Sequence, residues 1–362
     1  MKTVSETRTK ADYYRVTRKY KLFIVFFACL AILAFFVTIG FGVYKISLFD
    51  SWIVFIDHIT GNIRNEVADG YIWDYRVPRA LGAIVVGAAL SIAGVIMQND
   101  FRNPLAEPYT MGISSGAFLG AVLGIVFDIS LIPFLPSSWG LITNAFIFAL
   151  IPVAIIILVT KFRKMTPGLM ILTGIAIMFL FSSITQVILV TAPSETMANA
   201  YSWRVGTVGG IRWGDLPFFI PTTIVLMIVL WFFHKRLNVM YAGDRASQSM
   251  GEEAGKLRII TLLLASLLTA NVVCFTGTIG FIGLVGPHVA RIFVGSNNRY
   301  LIPAAAAFGA AFITIADTIA KVSGPDGLPV GVISSMIGGP LFIYILVKQR
   351  RSAWAWFPFI NL

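Results

Sequence analysis

Charge is scarce in this sequence. Of its 362 residues only 12% are Asp, Glu, Lys or Arg, 57% are hydrophobic and the mean hydropathy is +0.83; an average soluble domain carries about 25% charged residues. Such a chain cannot clothe a water-facing surface, which excludes a soluble globular or disordered protein. Cysteine is nearly absent too: Cys29 and Cys274 both lie inside apolar runs and read as small buried hydrophobes, not as a disulfide or metal pair. Three scattered histidines and the lack of H-E-x-x-H, G-x-S-x-G or C-x-x-C leave a membrane-embedded enzyme little to work with. No G-x-x-x-x-G-K-[ST] phosphate loop occurs. Its nearest imitation, GEEAGKL, has Leu257 where the hydroxyl belongs and Met250 where the first glycine belongs. The chain is therefore expected to hold no cofactor, and any ATP and Mg to be bound by a partner.

What the sequence has in quantity is apolar runs of about twenty residues, the length that crosses ~30 Å of hydrocarbon. Ten are predicted, at 22–44, 77–97, 107–127, 140–160, 168–191, 216–234, 257–277, 279–295, 301–320 and 329–347. The fold class is all-α, a polytopic membrane protein with an N-terminal arm (1–21), one transmembrane domain (22–350) and a C-terminal tail (351–362). No small-residue cleavage site follows Phe41, so the first run is expected to stay as an anchor. With the N-terminus inside, 21 of the 28 Lys and Arg fall on the cytoplasmic side, which favours both termini there. The +11 net charge is then a topology signal, and no nucleic-acid partner is expected.

Small residues recur at i, i+4. Gly112, Gly116, Gly120 and Gly124 notch one predicted helix, and Ala83, Gly87 and Ser91 notch another. Such faces let helix backbones approach where lipid offers no hydrophobic drive to associate. A substrate-lining role for Ser114 and Ser115 is the alternative.

Between two apolar runs stands the polar island YAGDRASQSMGEEAGKLR (241–258), placed in the cytoplasm by the charge bias. Asp244 is suited to cap a short helix and Gly251 to end it with positive φ. Ala246, Ser247 and Ser249 keep that helix thin, and Met250 offers a flexible apolar contact, as a docking surface for an energy-supplying partner requires. Arg76 and Arg79 stand outside against the positive-inside trend, where arginines receive carboxylates bidentately. Asp317 and Lys321 are spaced i, i+4 for an internal pair. Glu107 precedes Pro108 at a helix start, where a carboxylate favours the dipole. His288 is expected to hydrogen-bond a broken helix.

Four segments in order carry a resemblance: RVPRALGAIVVGAALSIAGVIMQNDFRNPLAEPYTMGISSGA (76–117), GDRASQSMG (243–251), GTIGFIGLVGPHVARIFVG (277–295), and IADTIAK with GLPVGVISSMIGGPLFIYIL (315–346). Together they resemble the FecCD family, permeases of binding-protein-dependent ABC importers for iron-siderophores, haem and cobalamin. The resemblance implies a type II importer architecture of ten helices with inverted repeats; in the sequence itself each half contains a helix expected to break where an asparagine or glycine meets proline, at Asn103-Pro104 and at Gly286-Pro287. It implies a second permease subunit beside this one in the lipid bilayer, with two cytoplasmic ATPases and an extracytoplasmic binding protein as further partners. By residue, it implies ATPase coupling through Gly243, Asp244, Met250 and Gly251, with Ser247 where alanine is more usual. It further implies binding-protein docking through Arg76 and Arg79, with Lys321 where arginine is more usual. Asn103, Pro104, Leu105 and Ala106, and Pro287 with His288, belong to the shared motifs. Ser182, Ser183, Thr185 and Gln186 would line the pathway, with Thr166 and Gly168 near the inner gate. The rival expectation is an ion-coupled secondary transporter using Asp317, His288 or Glu107.

Overall fold

The computed structural model describes residues 10–42, 44, 46–134, 136–162, 166–325 and 327–348. The expected tail (351–362) and the first nine residues of the expected arm lie outside them. The described residues are helical, with one isolated parallel bridge, Val205 to Thr278. In chain order the helices are α1 (Lys10–Gly40), α2 (Leu48–Thr60), α3 (Glu66–Asp69), α4 (Val77–Phe101), α5 (Ile113–Phe127), α6 (Ser137–Phe162), α7 (Pro167–Val190) and α8 (Ser194–Arg204). They continue with α9 (Leu216–Phe232), α10 (His234–Tyr241), α11 (Asp244–Ser249), α12 (Ala254–Thr276), α13 (Ile282–Val294), α14 (Asn298–Val322) and α15 (Val330–Lys348).

A helix occupies each of the ten predicted runs. By length and hydropathy seven pass as membrane spans, and an eighth if α9 and α10, bent by 51° at Phe233, count as one. The other two, α5 and α13, have 15 and 13 residues, and 13 residues rise only about 20 Å. Both are short because they follow breaks. After α4, Arg102 takes a left-handed φ of 47° and the Asn103 side chain accepts the Leu105 amide at 2.9 Å. A 3-10 turn at Pro108–Met111 then leads into α5. The second break falls at Gly277–Phe281, where both end residues have φ 66°. It does not fall at Gly286-Pro287 as expected: α13 runs through both. Pro287 forfeits a bond to the carbonyl of Gly283, which instead faces Gly94 of α4, and a Cβ on Gly94 would overlap that oxygen.

α4 is the central strut. Every residue from Ala89 to Phe101 is buried, and α9, α12, α13 and α14 pack around it. Its small residues do what small-xxx-small faces do: Gly87 and Gly309 of α14 meet backbone to backbone, and a Cβ on either would overlap the other's carbonyl oxygen. Gly116 and Gly120 of α5 meet the carbonyls of Phe148 and Asn144 on α6 in the same way. Outside this group α1 lies along α14, with Tyr20 tilted against Tyr300 and Phe27 edge-on to Phe308 at ring separations of 5.4 and 5.1 Å.

α2 is an element the hydropathy reading passes over. Its 13 residues are too few to span and include Asp50 and Asp57. One face, with Phe49, Ile53, Ile56 and Ile59, is exposed, while Ser51 on the other is fully buried. We expect Gly87→Ala to lower the unfolding temperature in detergent, by the ~1–3 kcal/mol typical of overpacking. Gly255→Ala, where a Cβ meets nothing within 4 Å, should leave it unchanged; equal melting of the two variants would contradict the crossing.

Candidate functional site

At the end of the bundle that the charge bias assigns to the cytoplasm, helix termini converge. A helix C-terminus leaves carbonyls without partners and carries partial negative charge, so it attracts cations. Arg258, on the first turns of α12, donates from Nε to the Asp100 carbonyl at the end of α4 at 2.7 Å. Arg102 donates to the Met240 carbonyl at the end of α10 at 3.1 Å. Both guanidinium groups then meet one carboxylate, Asp244 at the start of α11: Arg258 at 2.9 Å and Arg102 in direct contact. Asp244 was expected to cap α11. It does not; Gly243 stands at the cap and the Asp244 side chain is spent on the two arginines. Partial burial works to raise this carboxyl, but the ion pairs with Arg258 and Arg102 outweigh it and hold it below the ordinary value of 3.8. It is charged at neutral pH.

The rest of the island follows from this clamp. Ser247 is fully buried, and its hydroxyl lies 3.0 Å from the Val239 carbonyl and 2.7 Å from that of Gly243, so the serine fastens α11 to α10. Met250 is 57% exposed just past the helix, and Gly251 turns the chain at φ 80°. Arg236 grips Glu252 at 2.6 and 2.9 Å. The sequence reading missed Arg102, Arg258 and the wholly buried Asp100, whose carboxylate accepts from Thr261 at 2.8 Å.

The opposite end repeats the logic. Arg76 was expected exposed at the mouth, yet it is only 5% exposed. Its guanidinium caps the end of α1, donating to the carbonyl of Ile39 at 2.9 Å and of Tyr44 at 2.6 Å. Arg79, on the first turn of α4, binds Asp317 bidentately at 2.7 and 3.0 Å. Lys321 is buried, 3.4 Å from Asp317 and 3.0 Å from the Thr38 hydroxyl. These cations border a cavity of about 340 Å³ together with Tyr44, Tyr71 and Tyr75. Three cations and one carboxylate leave it electropositive.

A separate groove of about 420 Å³ opens among α5, α7 and α8. It brings together Ser114, Ser115, Ser182, Thr185 and Gln186, joined by Arg204 of α8. Ser183 is not part of it. Nor are Thr166 and Gly168: Thr166 caps α7, accepting the Leu169 amide at 3.4 Å, and both are exposed. Glu107 stands at the start of the 3-10 turn before Pro108, as expected, but its side chain makes no capping hydrogen bond and one of its carboxylate oxygens is buried without a partner. His288 hydrogen-bonds the Leu284 carbonyl of its own helix at 2.8 Å and lies edge-on to Phe342.

Helices of this length and hydropathy, broken pairs around a polar groove and ion clusters at both ends define a multi-pass membrane permease. The FecCD transport family matches residues 30–348. The Fe(3+)-citrate import system permease of Bacillus subtilis is 33% identical over 93% of this chain and 99% of its own length. The cobalamin import system permease of Halobacterium salinarum is 35% identical over 80% of this chain and 76% of its own. Among solved structures, a metal-chelate type ABC transporter in an inward-facing conformation superposes with a TM-score of 0.79 at 27% identity, covering 90% of this chain and 99% of that one. The chain belongs to the FecCD transport family.

Proposed function

We propose that this chain, a permease component of an ABC importer by family, is a passive gate for a metal chelate such as an iron-siderophore, haem or cobalamin. It works as a dimer of permease subunits, homo- or heteromeric, receives a loaded binding protein outside and docks two ATPases that bind ATP and Mg inside. The observation that carries this reading is the clamped α11: a short helix tied by ion pairs to Arg102 at the end of α4 and Arg258 of α12 and by the Ser247 hydroxyl to α10, with Met250 presented beyond it. That is what a handle for a nucleotide-driven partner requires, because a load applied to α11 is passed to the spans and not absorbed by the loop. Gly243, Asp244, Ser247, Met250 and Gly251 form the handle. At the other end Arg79, reinforced by the field of Arg76 and Lys321, receives acidic side chains of the binding protein. Ser182, Thr185 and Gln186 face the cargo, and Thr166 and Gly168 flank the inner gate.

A second reading has one observation in its favour, the partnerless oxygen of Glu107, which an ion-coupled transporter would use. Asp317 offers it nothing, being held by Arg79 and Lys321. Chelate uptake by cells separates the two: on our reading it survives a protonophore and stops when ATP is depleted, and the reverse pattern overturns it. For the outer face, Arg79→Glu should weaken binding-protein docking at least tenfold, the scale of a lost charge-assisted pair. Reversing a facing carboxylate on the binding protein should restore part of it, whereas unchanged docking by Arg79→Glu would discard the assignment.

A further inference from the structure

Relatives in this family carry cargo as different as iron citrate and cobalamin, so overall similarity does not select a chelate. The groove does, through its hydrogen-bonding state. Ser115 donates its hydroxyl proton to the Gly112 carbonyl at 2.9 Å, Thr185 to Phe181 at 2.8 Å, Thr278 to Arg204 at 2.6 Å and Ser335 to Gly331 at 2.7 Å. Tyr109 donates to the Ile279 carbonyl at 3.1 Å. A hydroxyl has one proton. These five therefore have no hydroxyl proton left for a ligand, and the other polar side chains of the wall, Ser114, Ser182 and Gln186, are neutral donors only.

Arg204 is the exception. Among the described residues lining the groove it alone is charged. It is exposed at the end of α8, its guanidinium carbon 5.3 Å from the centroid of the Phe118 ring, with Tyr201 in the same wall. No carboxylate among the described residues lies within ion-pair distance of it. A cation lodged over an aromatic face keeps its edge donors free for a ligand, and a groove of about 420 Å³ is within the ~300–1,000 Å³ typical of small-molecule sites. A helix C-terminus also favours a cation, but that role would be indifferent to the charge of the cargo.

We propose that the groove selects chelates of net negative charge, with Arg204 as the donor that holds their anionic oxygens. This rests on the groove being the importer's pathway. One anchoring cation among neutral groups retains such a cargo without trapping it. A cationic chelate is repelled by the guanidinium and a neutral one gains no charge-assisted bond from it, so both are held only by the neutral hydroxyl and amide groups of the wall.

The test uses the importer purified with its accompanying subunits, in nanodiscs. Retention of radio-iron ferric citrate (anionic), cobalamin (neutral) and ferrioxamine B (cationic) is measured at two salt concentrations. The wild type should favour ferric citrate over ferrioxamine B by about tenfold or more, the worth of one charge-assisted hydrogen bond, and the preference should shrink with salt. Arg204→Gln should abolish the preference while leaving cobalamin retention and the melting temperature unchanged, and Arg204→Lys should keep part of it. Equal retention of ferric citrate by wild type and Arg204→Gln, or a wild-type preference for the neutral or cationic probe, overturns the selection while leaving the importer reading standing. Failure to retain or transport a chelate of any charge brings both down.

Discussion

A single carboxylate holds the working end of this molecule together. Two arginines are drawn to the ends of α4 and α10 because helix C-termini present unpaired carbonyls. Placed side by side, they would repel each other. Asp244 stands between them and lets both stay, and because it is the first residue of α11, neutralising the arginines also fixes the short helix in place. Arg258 is 4% exposed; without its partner that charge would be left nearly dry, which is costly. The clamp is a joint whose stiffness comes from charge that has nowhere else to go.

Stiffness at one end reaches the other through α4. Asp100 and Arg102 lie at its far end and Arg79 on its first turn, and 25 residues of helix cover about 37 Å. Along that length the helix is locked by glycine crossings at Gly87 and Gly94, where backbones touch and sliding would drive carbonyls into each other. At its start, Arg79 shares Asp317 with Lys321 of α14. Displacement of α11 thus becomes displacement of a strut tied to α14 near the outer cavity, and the groove lies between that group, which contributes the 277–281 break and Ser335 of α15, and α5, α7 and α8. In our account the two groups move against each other as the gate opens.

Much of the fold was legible because hydrocarbon imposes its length on the sequence: each of the ten apolar runs holds a helix, seven or eight of them long and apolar enough to span. The glycine faces were legible for the same reason, since only small residues permit the approach of Gly87 to Gly309. Partner choice was not. Asp244 reads locally as a cap, and what takes it from that role are arginines 142 and 14 residues away in the chain. Arg76 reads as an exposed anchor until α1 brings its last carbonyls to it. Proline beside glycine suggested a break at 286–287, but backbone sign at Gly277 and Phe281 made the break, and a positive φ at phenylalanine has no local signature. Arg204 passed as one of several outer charges because only the fold sets it among hydroxyls.

The most direct test of the clamp is an electron-electron distance measurement between spin labels on Ser249→Cys of α11 and Lys256→Cys of α12, with the two native cysteines replaced. Our account predicts one narrow distance that is the same in nucleotide-free and ATP-trapped importer, broadening only when Asp244→Ala is added. A wild-type distance that changes with nucleotide would mean that α11 swings on its own, and the joint described here would not exist.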